Sequence, residues 1–195
     1  MLNRFASSAL ALCLCLSPVP LAAQDGGKGP DKAAPARVDG AKVEPMVSVT
    51  KHSGTFGGQR VAYTATASDT FLRDDKGNPR ARIFSVSYVK DAPEPNRPVT
   101  FLFNGGPGSG SLWLHMGAFG PKRVAIPNDG RDDGAPPYRL IDNPDSLLDV
   151  TDIVFIDPVG TGFSTALGDT DPKEFWGVTK DAKSVAQFID RKSVV

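Results

Sequence analysis

The chain has 195 residues, 40% of them hydrophobic, and its 22 Lys and Arg residues balance 22 Asp and Glu residues, so its formal net charge is zero. No basic stripe argues for a nucleic-acid partner and no polybasic segment argues for a membrane surface. A small, soluble, near-neutral partner or substrate is the default.

Arg4 precedes an apolar run from Ala9 to Leu16, and Ser17 to Ala23 supplies a helix-breaking end with small residues at its close. That is the layout of a secretory signal peptide over residues 1–23, with cleavage after Ala23. The apolar run is too short to span a bilayer, and nothing later resembles a membrane span. Removal of that segment takes away Arg4, its one charged residue, and leaves 21 basic against 22 acidic residues. Both cysteines, Cys13 and Cys15, go with it, so the mature chain has neither disulfides nor cysteine-ligated metal. The expected location is therefore outside the cytoplasm, in a Gram-negative periplasm or secreted, with no membrane association after cleavage. Residues 24–45 are rich in Gly, Pro, Lys, Asp and Ala and read as a disordered linker.

The folded part is expected from residue 46 onward. Val61 to Ala67 and Ala81 to Val89 alternate in polarity, and Asp74 to Pro79 between them is turn chemistry, which predicts an antiparallel hairpin at a sheet edge. Pro98 then opens Val99 to Phe103, a nearly unbroken apolar run that suits a strand covered on both faces in a parallel sheet. The run stops at Asn104 and gives way to the loop Gly105, Gly106, Pro107, Gly108, Ser109, Gly110, Ser111. Glycines remove the Cβ atoms where the backbone turns, and Pro107 stiffens it, so main-chain N–H groups become approachable and fixed in direction. Such donors suit the oxyanion of an acyl-transfer intermediate. The spacing fits neither a dinucleotide nor a phosphate loop. On spacing alone, an oxyanion loop and a purely structural turn both stay open.

Ser111 to Gly117 is expected as a short helix whose N–H groups add positive potential beside the loop. The acidic residues of Asn128 to Gly134 do not fit a calcium loop and read as a solvated turn. Asp152 to Ile156 is a second buried strand. Asp171, Pro172 and Glu174 form a helix start of the capping-box type, followed by Phe175, Val178, Ala182, Val185, Ala186 and Ile189 on one helical face. The fold class is α/β.

Asn104 to Ser111 resembles the N-G-G-P-G-x-S-S segment of the serine carboxypeptidases, exopeptidases of α/β-hydrolase fold. Asp157 to Ser164 resembles their D-x-P-x-G-x-G-F-S loop, and Asn143 to Ser146 their N-P-x-S approach to the strand between. The resemblance covers roughly Val61 to Ile189, which implies that residues 46–195 are the N-terminal part of an α/β-hydrolase peptidase domain. It implies that Gly106 supplies one oxyanion-hole N–H, that Gly105 positions substrate, and that Asn104 binds the C-terminal carboxylate of a peptide. An amide suits that last task because it stays neutral at any working pH. Asp157 to Ser164 would support the cleft. No metal or organic cofactor is implied, and the partner is a peptide substrate.

Two departures stand out. Ala118 lies where relatives place a carboxylate-binding Glu in E-x-G-P, and Ser109 where relatives often carry a disulfide-bonded Cys. Further, no G-x-S-x-G nucleophile elbow occurs; Gly162, Phe163, Ser164, Thr165, Ala166 lacks the last glycine. Neither His52 nor His115 follows a nucleophile and an acid in the chain order of this fold, so the polypeptide is expected to be inactive alone. His52 is expected at the surface and His115 packed or hydrogen-bonded in the cleft wall. Ser109 and Ser111 are expected to hold the loop backbone or cap the helix after it. Two alternatives remain: a hydrolase of the proline iminopeptidase type, whose H-G-G-P-G loop is similar, and an exported, non-enzymatic peptide-binding module.

Overall fold

In the computed structural model the described residues are 44–92, 94–104, 108–126 and 136–192. The expected signal segment, and the linker apart from Glu44 and Pro45, lie outside them. Three antiparallel strands come first: β1 (Val47–Phe56), β2 (Gln59–Arg73) and β3 (Pro79–Lys90). The β2–β3 turn is made by Asp74, whose Oδ1 accepts from the amides of Lys76 and Asn78 at 2.9 and 2.8 Å. These bonds hold the Asp74 carboxyl below its ordinary range, with the side-chain bond from Asn78 contributing most.

The expected hairpin forms, but β1, which the sequence reading did not assign, takes the edge position. β4 (Val99–Leu102) and β7 (Asp152–Ile156) pair in parallel, and the sheet order is β1-β2-β3-β7-β4. Between them in sequence, β5 (Lys122–Val124) and β6 (Leu140–Asp142) form a separate two-stranded ribbon, also not expected. β8 (Thr165–Ala166) adds briefly to β3.

β7 is the center of the packing. Val154 and Ile156 join Leu72, Ile83, Val185 and Phe188 on one face, while Ile153 and Phe155 join Phe56, Val61, Tyr63 and Leu148 on the other. A strand covered on both faces needs no polar alternation, which is why its sequence is continuously apolar. The same expectation fails for β4. Val99 is 48% exposed and Thr100 to Leu102 are half-buried; among the described residues β4 is the last strand of the sheet and pairs with β7 alone.

The first helical segment, α1, is the single turn Leu112–Leu114, continued by a wider turn over His115–Phe119 that closes with Gly120 N–H donating to His115 O at 2.9 Å. The second helix begins later than expected. Asp171 caps a 3-10 turn, Pro172–Phe175, by accepting from the Lys173 amide at 3.0 Å, while Glu174 pairs with Arg80 instead of reaching back. Gly177, at φ +98°, breaks the path, and α2 runs over Val178–Lys192. Its buried residues are Ser184, Val185 and Phe188, with Ile189 partly covered, whereas Ala182 and Ala186 are exposed.

Candidate active site

The parallel strands β4 and β7 end at the same edge of the sheet, and each is followed by one of the two glycine-rich segments. Phe103 and Asn104 leave β4; Asp157 and Pro158 leave β7. Asn104 is half-buried and lines a groove of about 590 Å³ together with Phe103, Val159, Phe175, Trp176 and Asp181. Gly105 and Gly106 lie outside the described residues. The loop is described again from Gly108, which has φ +92°, to Ser111. A second hollow of about 480 Å³ lies between the β2–β3 turn and α2, and shares only Phe175 with the groove. Its Arg80 is taken up by Glu174 and Thr170, so it offers less open chemistry than the groove beside Asn104.

The two loops meet at Asp157. This side chain is buried, and its Oδ1 accepts from the Ser111 amide at 2.7 Å and from Ser111 Oγ at 2.9 Å. Its Oδ2 accepts from the Phe163 amide at 3.2 Å. A carboxylate taken out of water needs such donors, and three are supplied by the segments it joins. Ser111 therefore holds the loop, as expected, but it makes no side-chain cap on α1. Its N–H points to the Asp157 carboxylate and is therefore not offered to a ligand beside the loop. Ser164 completes the anchorage: its Oγ donates to Asp157 O at 2.6 Å and accepts from the Phe84 amide at 2.8 Å.

α1 and the turn after it continue from the loop and line neither of these two hollows. Asn143 is fully buried, and its Nδ2 donates to the carbonyls of Ala118 and Gly120 at 2.7 and 2.8 Å. Ser146 Oγ donates to Phe119 O at 2.8 Å. The N-P-x-S segment is thus a clamp on the segment Ala118 to Pro121. Gly120 is required there because a Cβ would lie 2.3 Å from His115 O. Ala118 itself is exposed, and its carbonyl accepts from Asn143 Nδ2.

His115 is packed and hydrogen-bonded, as expected, but it lines neither hollow. Its ring stacks on Phe155 at 4.4 Å, and Nε2 is 2.6 Å from the Tyr88 hydroxyl. Burial lowers its pKa from 6.5 to about 4, with the Asp157 charge acting weakly the other way. Burial raises the Tyr88 hydroxyl above its ordinary value, and the nearby Tyr63 adds to this. The pair is a neutral hydrogen bond at neutral pH. His52 is exposed on β1, stacked on Tyr63 at 5.5 Å and bonded to Thr50 Oγ1. Neither histidine pairs with a serine among the described residues.

Sequence reasoning did not single out Arg97, which ties the entry of β4 to the start of β7. Its Nε donates to Asp152 Oδ1 at 2.9 Å, and its other nitrogens reach the carbonyls of Leu148 and Asp149. The signal was weak: a charged residue in a proline-rich approach segment looks like solvated surface.

A mixed sheet with flanking helices, whose parallel strands end in glycine loops at one edge, matches an α/β-hydrolase-like fold over this part of the chain. The sequence profile of the family described as "Serine carboxypeptidase" matches residues 74–191, more than half of the chain. The chain belongs to that family. No curated protein matches it.

Proposed function

We propose that this chain supplies the substrate-holding part of an exported serine-type carboxypeptidase that releases C-terminal residues from peptides. In this reading Asn104 donates its side-chain amide to the terminal carboxylate, Gly105 positions the last peptide bond, and the Gly106 N–H receives the oxyanion of the tetrahedral intermediate. The second oxyanion donor and the Ser, Asp and His of the triad belong to the part of the domain that would follow. The reaction is acyl-enzyme formation at that serine and hydrolysis by water, without metal or cofactor. Gain of rate comes from donors that are fixed before charge develops on the carbonyl oxygen.

The observation that carries the reading is the family match, which contains both glycine loops, together with the Asp157 contacts that bring those loops to one place. An N-blocked peptide with a free C-terminus, offered to the complete enzyme containing this chain, is the direct test. The free carboxylate form is expected to be cleaved from its end, and the C-terminally amidated form to be cleaved at least about tenfold more slowly, the loss of one charged hydrogen-bond partner. Asn104→Ala should narrow that ratio by raising KM for the free acid. Release of residues from the N-terminal end, or binding without cleavage, would overturn the reading.

A further inference from the structure

We infer that Asp157 is the positioning residue of the glycine loop, setting the place of its oxyanion-hole backbone without touching substrate. The loop between β4 and α1 has one end fixed by the ladder between β4 and β7, which stops at Leu102. Its other end is fixed at Ser111, and there both Ser111 donors go to a single oxygen of Asp157. Asp157 is itself tied to its neighbors. Its backbone N–H donates to Phe84 O at 3.1 Å, its carbonyl accepts from Ser164, and its second oxygen holds the Phe163 amide. The surroundings are shaped to it. A Cβ on Gly110 would lie 3.1 Å from Oδ1, and a Cβ on Gly162 would lie 1.9 Å from Oδ2. Glycines on both sides of the carboxylate let two backbone segments close on it to hydrogen-bond distance, which side chains would prevent.

The effect on rate rests on the carboxypeptidase reading; the anchoring does not. Holding the flanks of the loop at Leu102 and Ser111 restricts the conformations open to the residues between them. Released at the Ser111 end, the same loop samples others. Misplacement of an oxyanion donor weakens transition-state stabilization more than ground-state binding, so the loss falls on kcat.

Two measurements on Asp157→Asn and Ser111→Ala test this. Amide hydrogen exchange on the 195-residue chain should accelerate by about tenfold or more at Gly108 to Leu112 and at Gly162 to Ser164, with β7 and α2 unchanged. In the complete enzyme, Asp157→Asn should lower kcat by about a hundredfold with KM within about threefold, the pattern of misplacement without lost substrate contact. Ser111→Ala keeps the amide bond, removes only the Oγ bond, and should shift both readouts the same way by less, so it serves if Asp157→Asn does not fold. Unchanged exchange in these segments, or a loss confined to KM, overturns the inference. Faster exchange in the variants combined with no peptidase activity in the wild type upholds the anchor and removes the carboxypeptidase reading instead.

Discussion

Gly162 has φ +50°, and the carboxylate oxygen of Asp157 occupies the place of its missing Cβ. An alanine there meets both backbone strain and overpacking, so Gly162→Ala should destabilize the fold by about 3 kcal/mol, read by urea denaturation. His115 gives a prediction of opposite character. Its pKa is about 4 in the fold against an ordinary 6.5, so between those values the unfolded chain binds a proton that the folded chain does not. Stability from this residue is full above pH 6.5 and is lost as pH falls toward about 4, by about 3 kcal/mol in all. His115→Gln, which keeps a partner for Tyr88, should flatten the stability profile between pH 7 and pH 4.5; an unchanged slope would assign the acid sensitivity to other groups. The glycines and Asp157 were recognizable in the sequence as backbone devices and as a strand-end acid. That one carboxylate joins both loops was not, because its partners lie 46 residues away on one side and 6 on the other.

At the scale of elements, β7 was legible because burial on both faces leaves an apolar run, and the β2–β3 hairpin because alternation and turn chemistry agree. β4 carries the same kind of run but is the last strand of the sheet among the described residues, and a strand's composition does not say which neighbor it has. β1 was missed: most of its residues are exposed, and its register comes from β2. In and before α2 the expected core face holds at Phe175, Val185 and Ile189, but it included Val178, Ala182 and Ala186, which are exposed, and missed Phe188. Helix propensity starts at Asp171, but the positive φ of Gly177 resets the rotation, so Phe188 and not Ala182 or Ala186 enters the core. Phe188→Ala should therefore cost about 3 to 5 kcal/mol, and Ala186→Ser less than about 0.5 kcal/mol. Equal losses at the two positions, measured by thermal and denaturant unfolding, would show that the core face of α2 is wrongly placed.

For the molecule as a whole, both faces of β7 are covered while the outer side of β4 carries no paired strand among the described residues. Phe103 beside it is 45% exposed, and Trp176 across the groove 58%. The described parts of the two family loops thus stand beside β4, and under the proposed reading the holding of substrate is separate from the chemistry of bond cleavage. Cleavage needs a base within hydrogen-bond reach of a nucleophile. The sequence has two histidines: His52 is committed to Thr50 on the far edge strand, and His115 to Tyr88 with a pKa depressed by burial. Ser111 is committed to Asp157, and Ser164 to Asp157 and Phe84, while Ser109 lines the groove with no histidine among the groove's lining residues. Purified residues 24–195 should therefore show no release of C-terminal residues from an N-blocked peptide above background, with or without a serine-directed reagent. Activity that the reagent abolishes would mean that a Ser and a His come together in a way this packing does not permit, and the division between substrate-holding and bond-breaking parts would have to be redrawn.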